Sequence, residues 1–147
     1  MPSFNEKKTR DAIVQRMEKL TKDSVRKWGK MTPDQMVHHC NRSLEYLHGK
    51  FLIPFRGNGF TSSGFFKFMV LGVPLAFPKG KADTFQELLS DGTYNLEKEK
   101  SHFIHLVNEY DTIQRWPTSP FMGKMTKDDW GIMTYKHFDH HLRQFGL

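Results

Sequence analysis

Two phrases of nearly the same wording, GKMTPDQM from Gly29 and GKMTKDDW from Gly123, each set a threonine ahead of acidic residues and a helix-period pattern. Thr32 and Thr126 stand as N-caps, with Gln35 and Asp129 three residues on in the capping-box position, and Pro33 suits a first helical turn. Both phrases therefore open helices.

Hydrophobic spacing supplies the other long elements. Ile13, Val14, Met17 and Leu20 share one face of a helix expected from Asn5 to Lys22. The helix opened by Thr32 runs from Pro33 to His48, where Gly49 supplies a stop. A third covers Tyr94 to Ile113, with Leu96, Phe103, Leu106, Val107 and Tyr110 on one stripe, and the last runs from Lys127 to Phe145. The connection over residues 49–93 is rich in Gly, Pro and Phe, and so long a structureless loop would be unusual. Short helical pieces are expected within it, from Ser63 to Val70 and from Thr84 to Leu89. No period-two pattern persists anywhere. The expected architecture is all-α: one domain over residues 1–147, a four-helix bundle with a long crossover containing short helices.

Composition agrees and removes several function classes. A chain of 147 residues is the size of one ordinary domain, and thirteen phenylalanines with eight methionines provide core bulk. The lone cysteine, Cys40, excludes an internal disulfide and suggests a reducing, cytoplasmic setting. MPSFNEKKTRDAIV at the start lacks the apolar run of a secretion signal. The most apolar stretch, FFKFMVLGVPLAF at residues 65–77, is broken by Lys67, Gly72 and Pro74 and falls short of the roughly 20 residues a membrane span requires. It reads as core or pocket lining, and no membrane partner is expected. The net charge of +6 is spread along the chain and interleaved with acids, without a nucleic-acid motif, so nucleic acid is not the expected partner.

Eight histidines remain to be placed, and helical direction sorts them. At about 100° per residue, His137 and His141 lie about 40° apart among Trp130, Met133, Thr134, Gln144 and Phe145, on the core-facing stripe. His140 falls beside Lys136, Asp129 and Arg143, on the solvated side. On the second long helix His39 shares its side with Met36, Cys40, Ser43, Tyr46 and Leu47, whereas His38 sits with Arg42 and Glu45. Three inward histidines result, and the HxxxH pair should bring its Cβ atoms within about 5–6 Å. A third imidazole from a facing helix completes a metal site of His39, His137 and His141, with a further position left for water or substrate. The alternative is a set of hydrogen-bonded core histidines. Two ExxH motifs, Glu45 with His48 and Glu99 with His102, imitate di-iron helix bundles, but Glu45 and His48 lie off the apolar face and no inward glutamates complete the set.

GKMTPDQMVHHC, the long helix that follows the crossover and PFMGKMTKDDWGIMTYKHFDHHLRQFG together resemble the DinB-like superfamily of metal-binding four-helix bundles. The similarity spans most of the chain. Residue by residue it puts the family's first metal histidine on His39 and its C-terminal pair on His137 and His141, with Gln144 three residues beyond. Where relatives have His-Pro before the last helix, this chain has Ser119-Pro120.

The resemblance implies a divalent-metal protein and, in some members, thiol-dependent transfer or hydrolysis. The expected cofactor is thus a divalent ion (Zn, Ni, Fe or Mn, with zinc or nickel favoured), and the expected partner a small-molecule substrate such as a low-molecular-weight thiol. A homodimer is compatible with such a bundle. Tyr46, Ser43 and Gln144 are the candidates for supporting the ligands, and the Phe65–Phe77 region for covering the pocket. The competing expectation is a non-catalytic bundle that binds a metal or a partner.

Overall fold

A computed structural model describes residues 1–79 and 84–147. It contains α1 (Lys7–Glu18), α2 (Pro33–Leu47), α3 (Gly64–Lys67), α4 (Leu96–Asn108) and α5 (Lys127–Gln144), and among the described residues no strand. A π-helical turn, Phe68–Gly72, continues α3, and single 3₁₀ turns occupy Gln86–Leu88 and Tyr110–Thr112. The expected all-α class is therefore observed.

Thr126 works as its phrase indicates and Thr32 only in part, since the Thr32 hydroxyl donates to Asp34 at 2.6 Å and caps no helix N–H. Thr126 Oγ accepts the Asp129 N–H at 3.1 Å, while the Asp129 carboxylate accepts the Thr126 N–H at 2.9 Å. At α2 the Gln35 side chain accepts the Thr32 N–H at 3.0 Å and donates to the Gly92 carbonyl, tying the helix start to the segment that leads into α4.

Two helices are shorter than their periodicity suggests, because flanking groups are used elsewhere. Asn5 does not enter α1; its side-chain amide donates to the Lys127 carbonyl and to Asp128, at the start of α5. At the other end Lys100 of α4 donates to the Glu18 and Leu20 carbonyls, so the last turn of α1 is satisfied without further helix. α4 begins after Asn95, whose side chain accepts the Lys98 N–H, and breaks before the 3₁₀ turn at Tyr110.

The long helices bury their stripes against one another: α2 packs on α4, and α1 packs on both α4 and α5. At the centre Phe4 meets Tyr110 and Phe138 edge-on, with ring centroids 5.0 and 5.2 Å apart, and Phe103 meets Phe138 at 5.3 Å. All four rings are almost fully buried. The α3 and π-turn segment lies on α5, and the Gln86–Leu88 turn lies on α2, so both halves of the crossover reach the helices that carry the inward histidines.

The crossover departs from its expected part as core lining. Leu71 is buried and Phe66 and Val70 are partly so, but Phe65, Phe68, Met69 and Leu75 are exposed. Lys136 departs in the opposite direction. Its helical position is on the solvated side, yet it is only 7% exposed and donates to the Val70 and Val73 carbonyls at 2.6 and 2.7 Å. A long side chain can satisfy distant carbonyls while its stem packs, which a helical wheel does not register.

Candidate metal centre

Histidine is a poor resident of a dry core unless both ring nitrogens find partners. His39 of α2 and His141 of α5 are only 4% and 8% exposed, and each finds one partner outside the cluster. His39 Nδ1 lies 2.8 Å from the Leu88 carbonyl oxygen, and His141 Nδ1 lies 2.8 Å from Gln144 Oε1. Both acceptors lack a proton, so each Nδ1 carries the hydrogen. In the neutral ring the Nε2 of both histidines is then a bare lone pair.

Those two lone pairs point at the same place. His137 Nε2 is 2.9 Å from His39 Nε2 and 3.0 Å from His141 Nε2. A proton on His137 Nε2 can serve only one of them well, which leaves a lone pair facing nitrogen without a hydrogen. Protonating a second ring is opposed by the surroundings. Burial pushes His39 down, pushes His137 well below the usual histidine range, and pushes His141 down to about 3, with the neighbouring imidazoles adding to the shift. A group of three neutral imidazoles converging through Nε2 is what a divalent cation requires of its ligands.

The donor set fits such an ion. His39, His137 and His141 are the one cluster of three or more metal-ligating side chains among the described residues. Two nitrogens bound about 2.1 Å from one ion stand roughly 3.0–3.4 Å apart, so the two spacings through His137 need an adjustment of a few tenths of an ångström. The Leu88 carbonyl and the Gln144 amide occupy the outer positions from which bound histidines are oriented.

The remaining histidines lie outside the three-nitrogen cluster, although the His140 ring stands edge-on to His141 with centroids 5.2 Å apart. His38 stacks on Tyr94 with centroids 3.8 Å apart and faces Glu99 at 3.2 Å, between α2 and α4. Glu45 pairs with Arg42 and with His102, while His48 lies against the Leu106 carbonyl, so the two ExxH motifs trade partners across the helices and assemble no site. His140, placed by the helical wheel on the solvated side, is instead half-buried between Trp28 and Phe77. Its cover comes from the segments before α2 and after the π turn, which helical direction alone cannot supply.

Of the three candidates for supporting the ligands, only Gln144 does so. The Tyr46 hydroxyl donates to the Thr118 carbonyl at 2.6 Å, and Ser43 Oγ bonds back to the His39 carbonyl within its own helix. Ser119 caps a tight turn, accepting the Phe121 and Met122 N–H groups. Two contributors were not anticipated from the sequence: the Leu88 carbonyl, and Gly29. Gly29 has φ +86°, and a Cβ there would stand 2.6 Å from Gln144 Nε2. One signal for it did exist, since Gly123 occupies the same place in the other GKMT phrase and also has positive φ, at 75°.

The chain matches no family model, no curated protein and no solved structure.

Proposed function

We propose that this chain is a metal-dependent enzyme of the DinB-like four-helix-bundle type, in which His39, His137 and His141 hold a divalent ion that activates water or a small thiol. The observation that carries this reading is the convergence of three Nε2 atoms in which two rings already have their proton fixed on Nδ1. A bound ion would supply positive charge that lowers the pKa of water to about 7 or holds a thiol as thiolate. The protein's own part is to keep the ligands neutral, oriented and dry. No donor in the set is anionic, so the ion keeps its full charge for a substrate oxygen or sulfur, which suits hydrolysis or thiol transfer. Zinc and nickel are favoured because imidazole suits both.

A second reading is a closed ion that serves structure alone, and the burial of His39 and His141 favours it. Elemental analysis of protein purified without chelator tests what both readings share. One zinc or nickel per chain is expected, lost when His137 and His141 are both replaced by alanine. Metal-free wild-type protein that also takes up no added zinc or nickel would overturn the ion. Metal-loaded protein with no response to small thiols or hydrolysable esters would leave the structural reading.

A further inference from the structure

Between Tyr46 and Ala82 the sequence holds Lys50, Arg56, Lys67, Lys79 and Lys81 and not one aspartate or glutamate. Basic and acidic residues alternate elsewhere; here the acids stop. The same stretch turns large apolar side chains to solvent. Phe60, Phe65, Phe68, Met69 and Leu75 are 54–69% exposed, and Phe121 is 42% exposed. Phe65, Phe68 and Met69 stand at i, i+3 and i+4, so they share one face of the α3 and π-turn segment. Phe66, partly buried, joins this segment to its neighbours, with its ring 5.4 Å from Phe60 and 5.6 Å from Phe121.

The outward face is held in place from behind. Leu71 is buried beneath it, Lys67 donates to the Lys124 carbonyl at 2.6 Å, and Lys136 holds the Val70 and Val73 carbonyls. An apolar surface so anchored and so large marks an interaction site.

Charge selects the occupant. Arg56 meets Glu87 and Lys67 meets Asp129, which leaves exposed Lys50 and Lys79, the latter over the Trp28 ring, without a carboxylate partner among the described residues. Exposed Lys124 adds to the surplus beside Phe121. A second copy docking by a two-fold axis would set this positive patch against itself. Single-stranded nucleic acid would find rings to stack on but no use for Met69 and Leu75. An anionic bilayer surface satisfies both components, taking phenyl and thioether groups into the boundary below the headgroups while lysines remain among the phosphates.

We propose that the crossover face around Phe65, Phe68 and Met69 attaches this protein peripherally to anionic lipid bilayers. Among the described residues no helix is long and apolar enough to cross a membrane, so attachment is to one leaflet. The inference does not depend on the metal reading.

Flotation of the full chain with phosphatidylcholine vesicles, with and without phosphatidylglycerol, tests it. Binding on the order of tenfold or more tighter to the anionic vesicles is expected. Replacing Phe65, Phe68 and Met69 together by serine should abolish flotation, with circular dichroism and thermal unfolding unchanged because these side chains are already exposed. K50E combined with K124E should weaken flotation at low salt while keeping the same helical spectrum. Equal binding to both vesicle types, no binding to either, or a triple variant that floats like wild type would each overturn the proposal. So would a dimer in sedimentation velocity that the triple variant dissociates, without any vesicle binding.

Discussion

Gly29 and Gln144 pack so closely that a Cβ on Gly29 would stand 2.6 Å from the Gln144 amide nitrogen, the other end of the amide that holds His141. The backbone around Gly29 is fastened to the same residue, since the Lys27 N–H donates to the Gln144 carbonyl at 2.6 Å. A clash here would fall on a flexible side chain, which would yield by swinging away from His141. Gly29→Ala should therefore lose about 1–2 kcal/mol to its left-handed backbone and also weaken metal retention. Gly49→Ala is the control. Gly49 has φ +74° with nothing within 4 Å, so it should lose comparable stability in urea unfolding and keep its metal. Equal metal loss in both variants would show that Gly29 does not act through Gln144.

Gln144 itself should separate orientation from packing. Gln144→Leu fills similar space but offers no acceptor to His141 Nδ1, and a loss of about 10–100-fold in zinc affinity is expected. Gln144→Glu keeps an acceptor and should retain tight binding. Competition with a chromophoric chelator measures both.

Much of this centre was legible because side-chain direction on a helix is a local property. The 3.6-residue period placed His39, His137 and His141 inward and His38 outward with no knowledge of how the helices pack. The capping phrases fixed where that period starts. What the period could not reach were groups delivered by the crossover. The Leu88 carbonyl belongs to a 3₁₀ turn whose position depends on Arg42 donating to the Glu87 carbonyl and on Arg56 pairing with the Glu87 side chain. His140 is covered by Trp28 and Phe77 for the same reason. Hydrophobicity alone sent Phe65, Phe68 and Met69 to the core, although their helical segment is short and only its other face has anything to pack on.

Direction also orders the histidine substitutions. Alanine at 39, 137 or 141 should remove most bound metal in elemental analysis, whereas His38→Ala and His140→Ala should leave it nearly intact. Uniform losses across the five would mean that metal content tracks folding and not ligation.

Acid should destabilise the chelator-treated protein in a defined direction. The three clustered histidines have folded pKa values pushed below the ordinary 6.5, to about 3 for His141. Between those values the unfolded chain binds protons that the folded chain does not. Stability is thus complete above pH 6.5 and falls as pH drops toward 3, by about 1 kcal/mol per pH unit for each such group. Urea unfolding at pH 7 and pH 5 should show the decline, and His137→Gln should make it shallower. A flat profile would indicate that the imidazoles are charged in the folded state.

Lys136 joins α5 to the crossover one residue before a candidate ligand. Its ammonium satisfies the Val70 and Val73 carbonyls, and burial lowers its pKa. Lys136→Met preserves the stem but leaves two carbonyls without that donor, for an expected loss of about 2 kcal/mol. Limited proteolysis should then cut within residues 64–79 faster than in wild type. Unchanged cleavage there would assign the anchoring of the segment to Lys67 alone.

The chemistry of the proposed ion is best tested by substituting cobalt, whose absorption reports its ligands. Three neutral imidazoles leave an ion with full charge and room for further ligands, and a thiolate is among the strongest donors a small molecule can bring. Yet His39 and His141 are less than a tenth exposed and burial lowers the pKa of all three imidazoles, so a thiol must pass the side chains that cover the cluster. Adding a small thiol to fully cobalt-loaded protein should produce a new sulfur-to-metal charge-transfer band, and a bulky thiol should produce it more weakly. The band should vanish in His137→Ala protein together with the metal. Full cobalt occupancy with no spectral change at saturating thiol would mean a closed ion, and the balance between the two readings would then shift to structure.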